Sequence, residues 1–456
     1  MAKWNKDKKV LDHEHTQFWK FDLKDVVEPN LQKDVFPYDE VCRIDFDHKI
    51  MSINPAEEMF ITDTTFRDGQ QARPPYTVQQ IVDLYTLMSR LGGPNGVIRQ
   101  SEFFLYSPKD REAVERCQDL GFRFPEITGW IRASAEDVPL VKQAGLKETG
   151  ILTSVSDYHI FLKLNKNRKQ ALDDYLGVVK SILDAGIRPR CHFEDLTRGD
   201  IYGFCIPFAI ELMKLREETG IDIKIRLCDT MGYGVTYPGA ALPRSVDKLV
   251  RAFIEDAGVP GHLLEWHGHN DFHKAMINAT TAWLYGCSAA NTTLLGLGER
   301  TGNPPLEGLI IEYISLRGDQ NGIDTTVITD IANYFEKEIG VRIPASFPFV
   351  GADFNVTRAG VHVDGLIKCE EIYNIFDTTK LLKRPIIPMI TDKSGKSGIA
   401  FWINAHLGLK GDNAVDKRHP GVTRIHKWIA ELYDAGRMTS ISNEEMEKRV
   451  RKYMPE

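Results

Sequence analysis

From Met59 onward the chain alternates between two hydrophobic rhythms. Short runs rich in β-branched and aromatic residues give way to longer stretches whose apolar positions recur every three or four residues. The first rhythm belongs to buried strands, the second to amphipathic helices. Candidate strands fall at 59–63, 97–103, 125–129, 148–153, 189–193, 223–228, 263–267 and 289–294. Between them, 77–91 carries Ile81, Leu84, Tyr85 and Met88 at helical spacing, with Thr77 placed to cap the first turn. The stretches 107–120, 168–185, 202–219, 244–257 and 272–286 repeat that pattern. Eight strand–helix pairs in succession predict an α/β protein built on a (β/α)8 TIM barrel. A doubly wound open sheet is the alternative, but it needs a phosphate loop after the first strand, and Phe66-Arg67-Asp68-Gly69-Gln70-Gln71 is not one.

Outside the repeats the rhythm is lost. Residues 1–55 are polar and poorly periodic, and read as an N-terminal arm that wraps the body or a neighbouring subunit. Residues 56–318 form the expected barrel, and 319–456 a C-terminal accessory α/β region. Within that region, 324–340 and the tail from 415 look helical, whereas 345–400 mix glycines, short apolar runs and charges.

Composition narrows the function classes. A net charge of −7 argues against a general nucleic-acid binder. No stretch of the sequence is long and apolar enough for a membrane span, and the N-terminal residues carry no apolar signal core. Seven cysteines without a C-x-x-C pair speak against a disulfide framework or a structural zinc site. The expectation is a cytoplasmic protein acting on small molecules.

In a barrel of this type, chemistry gathers at the C-terminal ends of the strands. The polar oddities of this chain lie there. His267 and His269, two positions apart on a strand, face one side, and Asp68 after the first strand can add an oxygen. Together they make a mixed nitrogen and oxygen site for a divalent metal ion such as Mn, Co, Mg or Zn. After the eighth strand, Gly296, Gly298, Glu299, Arg300 and Gly302 form a loop suited to close backbone approach to a bound ligand, with Asn303 turned back to the mouth. Its G-x-G-x-x-x-G spacing misses the dinucleotide fingerprint, and Gly395-Lys396-Ser397 lacks the first glycine of a phosphate loop. Arg190, on an inward strand position, is either paired to an acid such as Glu194 or Asp195, or a clamp for a substrate carboxylate.

Three motifs in this order, D-T-T-x-R-D-G-x-Q ending at Gln71, H-x-H-N-D from His267 and G-x-G-E-R-x-G-N ending at Asn303, resemble the 2-isopropylmalate and homocitrate synthases. Those are metal-dependent TIM-barrel enzymes that perform Claisen condensations, and the likeness spans residues 59–400. It implies that Asp68, His267, His269 and Asn303 hold the metal. It further implies that Arg67 contacts the 2-oxo group, Thr230 holds the 2-oxo acid carboxylate, and Glu194 acts in the site. Gln71 falls among the substrate-binding positions, and the glycine-rich loop among those facing the co-substrate, acetyl-CoA. In the accessory region, 359–365 resembles the family's S/A-G-I-H-x-D-G stretch, making His362 the expected base, and Tyr373 resembles a family tyrosine. A homodimer is expected, with His362 brought in by folding or from a partner. Gln70, Thr357 and His192 depart from the usual pattern, and the tail is too short for a leucine-sensing domain.

The substrate expectation rests on Arg190 and His192. An arginine suits a second carboxylate, and a histidine in place of the homocitrate synthases' serine shortens the pocket. Both point to oxaloacetate, with citrate as product. The alternatives are homocitrate formation from 2-oxoglutarate, then isopropylmalate or citramalate formation. A biotin-dependent carboxyltransferase shares the opening motif, a metal-dependent lyase shares the barrel, and a non-enzymatic ion-binding protein is a third class.

Overall fold

The computed structural model describes residues 3–5, 10–12, 21–357, 362, 365–366, 368–386, 388–409 and 411–454. It divides into two units, Met1–Ile323 and Asp324–Glu456.

The first unit is a closed barrel of eight parallel strands. They are β1 (Phe60–Asp63), β2 (Ile98–Phe104), β3 (Glu126–Ile131), β4 (Glu148–Ser154), β5 (Arg188–Glu194), β6 (Lys224–Asp229), β7 (Leu264–Gly268) and β8 (Ala289–Thr292). Each pairs with its sequence neighbours, and β8 closes on β1 with Asn291 opposite Thr62. All eight lie where the apolar runs place them. The outer helices are α1 (Val78–Gly92), α2 (Pro108–Asp119), α3 (Val138–Gln143), α4 (Arg168–Asp184), α5 (Ile206–Thr219), α6 (Val246–Glu255), α7 (Ala275–Leu284) and α8 (Leu306–Arg317). Helix α1 starts as its sequence predicts: the Thr77 hydroxyl accepts from Gln80 N–H, and the Gln80 amide accepts from Thr77 N–H. Its buried face is Ile81, Leu84, Tyr85, Met88 and Leu91.

The described part of the arm lies along its own barrel. Lys24 N–H donates to the Gly203 carbonyl at 2.9 Å, and Asn30 N–H to Asp157 at 2.7 Å. Further along, Ala241 N–H donates to the Asp45 carbonyl at 2.8 Å. Residues 1–2, 6–9 and 13–20 of the arm lie outside the described residues.

The second unit contains α9 (Val327–Tyr334), α10 (Thr378–Leu382), α11 (Lys396–Leu407), α12 (Pro420–Asp434) and α13 (Asn443–Tyr453). Its core joins Ile399, Trp402 and Ile403 of α11 to Val422, Ile425 and Ile429 of α12 and Met446 of α13. The sequence suggested a mixed α/β region. Among the described residues the unit has isolated bridges, Thr357 with Pro388 and Ile390 with Ile441, but no sheet. Apolar runs this short, broken by Pro385, Pro388 and Gly395, do not extend into paired strands.

Candidate active site

The inside of the barrel is polar. Its middle layer is a buried ion network: Arg190 meets Glu102 at 2.6 Å and Glu148 at 2.9 Å, and Arg226 meets Glu265 at 2.7 Å and Glu102 at 3.0 Å. Lys224 reaches Glu148 from below at 2.9 Å. Burial opposes ionisation of Glu102 and Glu265, but the surrounding guanidiniums outweigh it and hold both well below the usual carboxylate range. This corrects the reading of Arg190 as a substrate clamp. Its side chain is 1% exposed, and its partners are Glu102 and Glu148 rather than Glu194 or Asp195. The same holds for His192, which lies 3.3 Å from Glu102 and fills the space left by the missing side chain of Gly150. Burial, then the Arg226 charge, lowers its pKa to about 3, so it is neutral.

Above this layer the strand ends bring the expected ligands together. Asp68 Oδ2 lies 3.7 Å from His267 Nε2 and 3.5 Å from His269 Nε2, and the two Nε2 atoms are 3.2 Å apart. These edges describe a triangle whose centre is roughly 2.0 Å from each corner, the length of a metal–nitrogen or metal–oxygen bond. The outer ring nitrogens are held. His267 Nδ1 is 2.7 Å from Asn291 Oδ1, and His269 Nδ1 is 3.3 Å from the Glu299 carbonyl. Since both partners are acceptors, Nδ1 carries the proton on each ring and the Nε2 lone pairs face each other. Burial keeps both imidazoles below their ordinary pKa, hence neutral. Burial raises Asp68, but Arg67, the two histidines and Asn303 bring it down to about 2. Asp68 Oδ2 and Asn303 Oδ1 are buried with no hydrogen-bond donor. Two lone pairs and a carboxylate oxygen converging without a donor fit a divalent cation, and the unpartnered Asn303 oxygen is a further acceptor on the adjoining loop.

Arg67 lies beside the triangle. Its Nε donates to Glu102 at 2.8 Å, its Nη1 is 3.3 Å from Asp68, and its guanidinium lies 5.8 Å from the centre of the Trp130 ring. Glu102 therefore joins the two layers, holding Arg67 above and Arg190 and Arg226 below. Neither Glu102 nor Trp130 was a candidate from the sequence. The charge of Glu102 and the polar amide of Gln100 inside an otherwise strand-like run were the available signal.

The remaining candidates separate. The Thr230 hydroxyl accepts from Asp195 N–H at 2.8 Å. Glu194 accepts from the Ser154 hydroxyl and lies 3.5 Å from Lys163. The glycine-rich loop closes on itself: a Cβ at Gly298 would overlap Asn303 Oδ1, and one at Gly302 would overlap the Gly296 carbonyl. Gly298 thus makes room for Asn303 and Gly302 for the loop's own backbone, a use the residue pattern did not suggest. Arg300 is paired with Asp271 at 2.9 Å and donates to the Thr230 carbonyl. Glu299 and Gln71 are exposed. His362 and Tyr373 belong to the second unit, with ring centres 4.5 Å apart. Most of the motif around His362, residues 358–361, 363 and 364, lies outside the described residues.

Comparison with known proteins follows the same lines. Residues 58–335 match the family described as HMGL-like. A citrate (Re)-synthase of Syntrophus aciditrophicus is 80% identical over all 456 residues, covering 72% of that protein. A citrate (Re)-synthase of Clostridium kluyveri is 51% identical over 436 residues, covering 96% of each chain. The crystal structure of a Bacillus subtilis HMG-CoA lyase superposes with a TM-score of 0.50 over 64% of this chain and 96% of that one. At 20% identity that likeness concerns the fold.

Proposed function

The chain belongs to the HMGL-like family, and on that premise we propose that it is an acyltransferase condensing acetyl-CoA with oxaloacetate to give citrate. The observation that carries this reading is the 80% identity, over an alignment of all 456 residues, to a citrate (Re)-synthase. The barrel mouth agrees with it. Asp68, His267, His269 and Asn303 would hold a divalent metal ion, Mn, Co, Mg or Zn. Bound there, such an ion supplies Lewis-acid polarisation of a 2-oxo group.

The chain's own residues do the rest. Arg67, fixed by Glu102 beneath it, offers its remaining N–H groups to the oxygen that gains charge as the carbon–carbon bond forms. Thr230, whose oxygen already accepts from Asp195, has its hydroxyl proton free to donate to the 2-oxo acid carboxylate. His362, exposed and beside Tyr373, takes the proton from the acetyl methyl. Glu194 gives its proton to the alkoxide formed from the keto oxygen, which becomes the hydroxyl of the product. Water then cleaves the thioester and releases CoA.

We place the protein in the cytoplasm, where its seven cysteines, all free, stay reduced. Among the described residues no helix is long and apolar enough to cross a membrane. We also read it as a homodimer: Val27, Tyr38, Val41 and Ile50 of the arm expose apolar surface that a second copy would cover. Sedimentation at two concentrations tests that assignment.

The function is tested by thiol release from acetyl-CoA with four 2-oxo acids. Oxaloacetate should react fastest and the product should be citrate. A preference for 2-oxoglutarate, 2-oxoisovalerate or pyruvate would overturn the substrate assignment. The base is tested by deuterium exchange into the acetyl methyl, which His362→Ala should lose while it keeps bound metal.

A further inference from the structure

Beside Glu194, on the loops that follow β4 and β5, lies a second histidine cluster. His159 sits on a wide helical turn, Tyr158–Lys163. Its Nδ1 is 3.0 Å from the Ser156 hydroxyl and 3.2 Å from Asp195 Oδ2. Ser156 donates its own proton to Asp195 Oδ2 at 2.5 Å, so the serine oxygen and the carboxylate are both acceptors toward the ring. That fixes the proton of the neutral ring on Nδ1 and turns Nε2 outward. Nε2 points at Glu194 Oε1, 3.7 Å away. A lone pair facing a carboxylate is repulsive unless a proton lies between them. The gap is slightly beyond hydrogen-bond length, as catalytic contacts commonly are before substrate binds.

The other charges around the ring are accounted for. Arg198 pairs with Asp195 at 2.9 Å, and Lys163 lies 3.5 Å from the far oxygen of Glu194. Burial raises the Asp195 carboxyl, but its bonds from His159, Arg198 and Ser156 bring it below the usual range, so it stays an anion beneath the imidazole. The His159 side chain is 17% exposed, enough for its edge to exchange protons with water. An acid at the mouth, an imidazole behind it, a buried anion to support the imidazolium and an opening to solvent make a complete path for a proton.

We propose that His159 is a positioning residue that relays protons between water and Glu194. The inference rests on Glu194 acting in the condensation. During turnover the keto oxygen of oxaloacetate gains an electron pair as its carbon bonds to the acetyl carbon. Glu194 gives that oxygen its proton and becomes a carboxylate. The His159 imidazolium then passes its Nε2 proton to Glu194, and water at the exposed edge reprotonates the ring. The methyl proton leaves separately, to the base, so no proton is counted twice.

The test uses the full-length metal-loaded enzyme and compares His159→Ala, His159→Gln and Glu194→Gln. His159→Ala should lower kcat by about 10²-fold with KM for both substrates nearly unchanged, and should lose one limb of the pH profile. Imidazole added to the buffer should restore part of the rate, which a structural role would not allow. His159→Gln, which keeps a hydrogen bond to Asp195 but carries no mobile proton, should be as slow as His159→Ala and should resist imidazole. A slow His159→Ala enzyme with an unchanged pH profile and no imidazole rescue would reduce His159 to packing and overturn the relay. So would full activity of both His159 variants alongside an inactive Glu194→Gln. Full activity of Glu194→Gln would instead remove Glu194 from the mechanism, and the relay with it.

Discussion

Two buried polar layers sit one above the other inside this barrel, built from overlapping residue types, and they differ in balance. In the lower one, Glu102, Glu148 and Glu265 face Arg190, Arg226 and Lys224, so acids and bases compensate each other. In the upper one, a single carboxylate faces two neutral imidazoles, and the oxygens of Asp68 and Asn303 have no donor. Burial of charge is common to both and so distinguishes neither. What marks the upper layer is an excess of lone pairs with nothing to fill it. The lower layer is a folded-state network, whose worth lies mainly in the cost of breaking it.

The sharpest way to break the comparison is to remove one group from each layer. His267→Ala should abolish metal binding and lower turnover by more than about 10³-fold, beyond the loss of a single oxyanion donor. The metal-free variant should still melt cooperatively, with a loss of about 1–3 kcal/mol, because the missing ring leaves the buried Asn291 Oδ1 without its donor. Metal analysis and calorimetry on the same samples check both halves, and retained metal would sink the ligand assignment. Arg190→Met should do the opposite. It leaves Glu102 and Glu148 short of a cation and should cost about 3–5 kcal/mol of stability. Preference among 2-oxo acids should not change. A variant of normal stability that has lost its preference for oxaloacetate would restore the clamp.

Arg190 also shows what a sequence reveals and what it hides. The barrel was legible because strand and helix rhythms are local, and each strand lies at its expected run. The candidate ligand cluster was legible because strand ends converge in this topology, so residues 199 positions apart, Asp68 and His267, could be brought together without knowing the register. Depth was not legible. Period two says that Arg190, His192 and Glu194 point inward, but not which of them reaches the mouth. That depends on Glu102 of β2 standing opposite, 88 positions away, to take the arginine. His159 was hidden for another reason: its direction comes from a wide turn after β4 that no spacing rule describes. The expected substrate agrees with the relatives, although the two residues invoked for it belong to the lower layer.

The neutrality of His192 gives a smaller handle on that layer. The ring is held near pKa 3 in the folded chain, mainly by burial, and titrates near 6.5 when unfolded. Below pH 6.5 the unfolded chain therefore takes up a proton that the folded chain refuses, and stability falls as pH drops toward 3. Burial raises Asp63 and Asp229 to about 6 and Glu307 to about 7, and these act in the reverse sense over much of the same range. The difference between wild type and His192→Gln isolates the histidine. Wild type should lose ground to the variant with a slope that reaches about 1.4 kcal/mol per pH unit near pH 4.5 and is about half that at pH 6.5. Denaturant melts at four pH values measure this, and parallel curves would mean that the ring titrates freely.

Asn291 supplies the finest test, because it touches both layers. Its Oδ1 accepts the Nδ1 proton of His267 at 2.7 Å, while its amide nitrogen donates downward to Thr62 at 2.9 Å. Thr62 in turn donates to Glu265, and the Asn291 amide itself lies 3.5 Å from the same carboxylate. One side chain thus sets the tautomer of a proposed metal ligand from a position fixed by the ion network. Asn291→Leu keeps the branched shape and removes both contacts. His267 would then be free to place its proton on Nε2, where it blocks a ligand position, so metal affinity should fall by about 10- to 100-fold. Stability should fall as well, by about 1–3 kcal/mol, because Thr62 and Glu265 lose a buried donor. Asn291→Asp separates the two effects. A carboxylate still accepts from His267 and should keep the metal, but it places a second anion against Glu265 and should destabilise the chain further. Metal titration and melting of the two variants therefore diverge if Asn291 joins the layers. Equal metal affinity in wild type, Leu and Asp variants would mean that the ligand ring is oriented from the mouth alone, and that the two layers share a barrel without sharing a constraint.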